Sequence, residues 1–132
     1  MAQRARTAVL LAVLLALSAC TEKTGPPPPV AVRGTVSLDG HLLQEGFLHF
    51  KTIETGAFER FNITNGEFTG HAQPGTRRVE IYANRPKIVE IDGENVTVPE
   101  NVIDSSFNIY SKLTAEVTLA GPNHFRFEVD SK

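Results

Sequence analysis

One cysteine and four histidines carry the strongest potential chemistry in this chain. Cys20 closes Leu17-Ser18-Ala19-Cys20, at the end of an apolar run from Ala8 to Leu17 that follows Arg4 and Arg6. A thiol is nucleophilic enough, at modest pKa, to form a thioether under mild conditions. Small residues at Ser18 and Ala19 let an extended backbone enter a membrane-embedded peptidase. A basic start, a short apolar stretch and a small-residue cleavage site define a secretory signal peptide over residues 1–19. The apolar run falls short of the about 20 residues that a membrane span requires.

The histidines are His41, His49, His71 and His124. Only if neighbouring strands brought His49 and His71 together would they begin a metal site. Zinc and copper take at least three convergent ligands, and no His-x-His spacing supplies them. No metal and no other cofactor is therefore expected. The chain has no Gly-x-Ser-x-Gly elbow, no P-loop and no His-Glu-x-x-His. Ser105-Ser106 beside Asp104 has no histidine tied to it by pattern. The expectation is a protein without catalysis.

Leu17-Ser18-Ala19-Cys20 resembles the lipobox of bacterial lipoproteins. That resemblance implies a diacylglyceryl group on the Cys20 sulfur, cleavage before Cys20 and acylation of the freed amine. One acyl chain holds a membrane only marginally, so several are needed for stable anchoring. The partner implied is a membrane, and the place implied is the bacterial cell envelope. Thr21 is not the Asp that retains many lipoproteins at an inner membrane, so a diderm cell would place the protein on its outer membrane or periplasmic face.

Without residues 1–19 about 110 residues remain, enough for one domain. Formal charge is −2 over the full chain and becomes −4 once Arg4 and Arg6 leave with the leader. Mild acidity of this kind argues against a nucleic-acid partner. Residues 20–29 read as a tether, with Pro26 to Pro29 favouring an extended polyproline rod of a little over about 10 Å.

From residue 30 to 132 the apolar period is two, the signature of half-buried strands. Val32, Gly34, Val36 and Leu38 alternate with polar residues up to Asp39-Gly40. Phe47 to Lys51 follows Gly46, and 57–63 is joined through Asn65-Gly66 to 67–71. After Pro74-Gly75, Val79, Ile81 and Ala83 oppose Arg78, Glu80 and Tyr82. Lys87 to Ile91 and Asn95 to Val98 can pair across Asp92-Gly93, with Pro99 ending the hairpin, and 102–112 reads as irregular. Leu113, Ala115, Val117 and Leu119 alternate in one late strand, and Phe125, Phe127 and Val129 in the last. About seven short strands with regular turn signals predict an all-β antiparallel sandwich. Its expected core is Phe50, Phe68, Val79, Ile81, Val117, Phe125 and Phe127, with Gly34 allowing close approach of the sheets.

The order of these segments resembles small lipoproteins of planctomycete bacteria with a transthyretin-like, carboxypeptidase-regulatory domain. The residues carrying it are Val32 to Gly40, then Gly46 with Phe50, Gly66-Glu67-Phe68 and Pro74 to Val79. Val98-Pro99, Ser111 to Val117 and Asn123 to Phe127 complete it. The resemblance implies a transthyretin-like (prealbumin- or immunoglobulin-like) sandwich. The hydrolase branch of such domains ends in Tyr-Arg-Gly-Ser, whereas this chain ends Val129-Asp130-Ser131-Lys132.

Two classes of function follow. The first is a lipid-tethered structural or binding module, with an envelope protein or polysaccharide as partner. Its candidate surface is the 92–112 segment, with Asp92, Asn95, Asp104 and Tyr110, because long loops on a rigid scaffold carry recognition. The alternative is a small metal-binding protein or enzyme on the same fold, which requires a concave pocket holding several ionisable groups.

Overall fold

The computed structural model describes residues 25–132. The signal segment, the lipobox residues Leu17, Ser18, Ala19 and Cys20, and the tether up to residue 24 lie outside the described residues. The rest is all-β. Its strands are β1 (Val30–Leu38), β2 (His41–Leu42), β3 (Glu45–Lys51), β4 (Phe58–Thr64), β5 (Glu67–Ala72) and β6 (Gly75–Tyr82). They continue as β7 (Asn84–Ile91), β8 (Glu94–Asn101), β9 (Thr114–Val117) and β10 (His124–Val129), with a 3-10 turn at Ser105–Phe107. No helix among the described residues is long and apolar enough to cross a membrane.

Three two-residue turns shape the chain. Asp39-Gly40, Asn65-Gly66 and Asp92-Gly93 all take positive φ at both positions, as type I′ hairpin turns require. The main sheet runs β10-β1-β5-β4-β3-β6-β9, with β2 added on β1. β4 and β5 pair only at Thr64↔Glu67 and then diverge, so the sheet folds over there and its two halves face each other. One pairing departs from the antiparallel expectation. β10 lies parallel to β1, from Arg33↔His124 to Leu38↔Val129. Strands from the two ends of the chain can pair this way because the connection between them is long.

Phe50 stands at the centre of the space between the halves. It meets Phe61 at 5.1 Å, Phe125 at 5.6 Å, Phe68 at 6.1 Å and Phe127 at 6.5 Å, all edge to face. This is a favoured geometry for aromatic quadrupoles. Of the expected core residues, Phe50, Phe68, Val79, Ile81, Val117 and Phe127 are buried, and Phe125 packs against them half-buried. Leu119 breaks the expected alternation. β9 ends at Val117, and Leu119 is 65% exposed in the following turn.

β7 and β8 form a separate two-stranded ribbon with eight residue pairs and Pro86 opposite Pro99. The expectation that Pro99 ends the hairpin, and that 92–112 forms one long loop, is corrected here: β8 continues to Asn101. A proline in a ladder loses only its N–H, and an isolated ribbon has two free edges to which that missing donor can be turned. The chain arrives at Val30, opposite Ala72, beside the end where Gly75 pairs with Val117. The base of the ribbon, at Asn84 and Asn101, follows Tyr82 at the opposite end.

A candidate binding face on β3, β4 and β6

In a half-buried strand, residues two apart share a face. On β3 the outward set is Glu45, Phe47, His49 and Lys51; the last three have Asn62, Arg60 and Phe58 on β4 and Tyr82, Glu80 and Arg78 on β6 as cross-strand partners. The inner set of the same strands fills the core, so this grid is the outer surface of one half of the sheet.

Aromatic rings occupy positions where polar residues are usual. Tyr82 stacks on Phe47 at 5.1 Å, and the His49 ring lies 4.4 Å from Phe58 and 5.5 Å from Tyr82. The Arg60 guanidinium sits 3.8 Å above the Phe47 ring, a cation–π contact that holds the arginine in place. Beneath the rings lies Glu80, only 3% exposed. Its carboxylate is reached by Lys51 Nζ at 2.9 Å, by the Tyr82 hydroxyl at 3.4 Å and by Arg78 at 3.7 Å. Arg78 also donates to the Ile109 carbonyl oxygen at 2.7 Å, tying the 105–112 segment to the edge of this face.

The environment acts on both titratable rings. Partial burial holds the His49 imidazole below its usual pKa, with Arg60 and Lys51 adding to the effect and Glu80 opposing it. Burial pushes the Tyr82 phenol up, and the Glu80 carboxylate beside it does the same. A carboxylate as covered as Glu80 is positioned to hold two cations and a phenol, and offers little room for a substrate atom. The face is open and does not enclose a cavity. A cleft of about 700 Å3 adjoins it between the diverging strands β4 and β5, sharing Arg60 and Asn62 with the face and lined further by Glu59, Glu67 and His71.

The residues expected to form a binding loop are not brought together. Asp92 and Asn95 sit at the tip of the β7–β8 ribbon, about 25 Å along it from its base by the usual strand rise. Asp104 lies past the ribbon's base, where its carboxylate accepts from the Ser106 N–H at 2.9 Å and from the Ser106 hydroxyl. Those bonds hold its pKa below the usual carboxylate value. Tyr110 is 70% exposed beyond the 3-10 turn. His49 and His71 also stay apart, since β4 lies between their strands. Among the described residues no three His, Cys, Asp or Glu side chains gather closely enough to hold a metal ion. Phe47, Phe58 and Tyr82 were legible as a site only through one signal: aromatic residues in the outward phase of alternating strands.

No protein-family model, no curated protein and no solved structure matches the chain. Fold and site together define an all-β domain with an open, ring-bearing cationic face.

Proposed function

We propose that this chain is a lipid-anchored protein of the bacterial cell envelope whose domain is a non-catalytic, transthyretin-like sandwich serving as a binding module. The tether is supported by the Leu17-Ser18-Ala19-Cys20 pattern behind a basic and apolar leader. Gly25 to Pro29, exposed and outside any strand, agrees with a spacer leading into β1. The ribbon springs from the end of the domain away from that arrival point, so a domain held at Val30 would present β7 and β8 on its far side.

The observation that carries the binding reading is the placement of Glu80, His49, Tyr82, Lys51 and Arg60 on an open sheet face. Catalysis favours a water-excluding pocket in which charges act strongly. An open face suits recognition.

Mass spectrometry of the protein purified from its native membrane tests the anchor. The expected product begins at Cys20 with the added mass of its acyl chains, and the Cys20→Ala variant leaves the detergent phase for the aqueous one. A native product that begins at Met1, or that stays soluble without detergent, overturns the proposal.

A further inference from the structure

Resting on the binding role proposed for this same face, we infer that the outer face of β4, β3 and β6 takes an acidic polysaccharide. Its sugar rings would lie on Phe58 and Tyr82 and its anionic groups on Arg60.

Three features of the face lead to this class of ligand. The first is the rings. Phe58 is 54% exposed and continues through His49 to Tyr82. The faces of such rings carry negative quadrupole charge, which attracts the polarised C–H bonds on one side of a pyranose. The second is the cation. Arg60 is pinned over Phe47 and enters no ion pair with a carboxylate among the described residues. A guanidinium held in place presents its remaining donors as a planar fork suited to carboxylate, sulfate or phosphate oxygens. The third is the charge balance. Lys51, Arg60 and Arg78 outnumber the two carboxylates of Glu80 and Glu45 on this face, on a chain whose formal charge is −2. The face is the cationic part of an acidic protein.

A protein partner would use the same aromatic and arginine anchors, and retardation by an acidic glycan is what separates the two. A nucleic acid would need a cationic track along its whole backbone, and the positive charge here is local. Sugar stacking with a neighbouring anion contact fits the interleaving of rings and cations along the strands.

The test is affinity electrophoresis of the full chain in detergent, through gels containing polygalacturonate, dextran sulfate, neutral dextran or inorganic polyphosphate. Retardation is expected with polygalacturonate or dextran sulfate, the two distinguishing carboxylate from sulfate recognition. Neutral dextran and polyphosphate should leave mobility unchanged. Phe58→Ala and Arg60→Gln should each weaken binding about two- to fivefold, the scale of one lost contact at an exposed site. Both side chains are exposed, so the melting temperature should stay within a few degrees, which separates lost binding from lost folding. Failure of every acidic glycan to retard the protein overturns the inference. So does equal retardation by polyphosphate or by a nucleic acid, or binding that survives both substitutions. None of these outcomes bears on the acyl mass at Cys20, so the anchor stands or falls separately.

Discussion

The Phe125 carbonyl oxygen lies 2.3 Å from the point where a Cβ on Gly34 would stand, and the Phe68 ring lies within 2.7 Å of the same point. The obstacle is a backbone oxygen as well as a side chain, so it cannot swing aside. Gly34→Ala should force β1 and β10 apart and cost about 1–3 kcal/mol, the range for overpacking a filled core. A thermal melt reads this directly, and an unchanged midpoint would mean that the two strands do not approach as described.

Phe127 makes the complementary case, by removal. It is 6% exposed and packs near Phe68 and Phe125, each at 6.2 Å. Phe127→Ala should cost about 3–5 kcal/mol. That is a large share of the about 5–15 kcal/mol that stabilises an ordinary domain, so urea denaturation should show a much lower midpoint.

These inward positions were legible because a strand's period of two records which side faces the core. Gly34 was legible as a missing side chain in an apolar phase, but the space is taken by Phe125 and Phe68 of the strands paired with β1 and not by a facing sheet as expected. The extent of the ribbon was not legible, because Pro86 and Pro99 read as strand ends until both edges of a two-stranded sheet are known to be free. The burial of Glu80 was equally hidden. It sits in the polar phase of β6 and is covered by Arg78 and Tyr82 of its own strand together with Lys51 from β3, a cross-strand pairing that no local pattern encodes. The fold-over at Thr64↔Glu67 is likewise a relation between strands.

Arg77 closes the core at the end where the chain arrives. It is 2% exposed and donates to both carboxylate oxygens of Glu59, to the Gln73 carbonyl at 3.1 Å and to the Phe50 carbonyl at 2.8 Å. Arg77→Met leaves two carbonyls without the guanidinium and the half-buried Glu59 carboxylate with the Gln73 N–H alone. The expected loss is about 3 kcal/mol, the low end for breaking a buried pair, because Glu59 retains some contact with water. The double variant Arg77→Met with Glu59→Leu should recover part of that loss. A double variant no more stable than the single one would show that the carboxylate was not the group left stranded.

Acid should weaken the fold first through His49. Its folded pKa is held below the ordinary 6.5, so as pH falls below that value the unfolded chain binds the proton before the folded one does. The associated stability is full above pH 6.5 and is lost as pH falls toward the folded pKa. Glu80, Arg60 and Lys51 are the charged groups facing the ring, and His49→Gln should flatten the decline between neutral and mildly acidic pH. Asp39, bonded to Ser131, and Asp104, bonded to Ser106, have pKa values lowered from 3.8. Their contribution is present above that value and fades only in stronger acid, so the two effects occupy separate windows. Urea midpoints measured for both proteins across pH resolve them.

The two parts of the 92–112 segment should respond oppositely to removal. No residue of β7 or β8 is buried, and Ile88, Ile91 and Val96 are 69%, 51% and 38% exposed. Replacing Lys87–Val98 with a short turn therefore removes little that the core depends on, and the melting temperature should move by only a few degrees. Asn108, past the ribbon, is 3% exposed, and its amide donates to the carbonyls of Ile103 at 3.3 Å and Asp104 at 3.0 Å. Ser111, also buried, donates its hydroxyl to the Val79 carbonyl of β6. Asn108→Ala should thus cost about 1–3 kcal/mol through unpaired buried groups, although it deletes far fewer atoms. If the ribbon deletion proved the more damaging change, its exposed Ile and Val side chains would have to be packing against the domain or a second molecule.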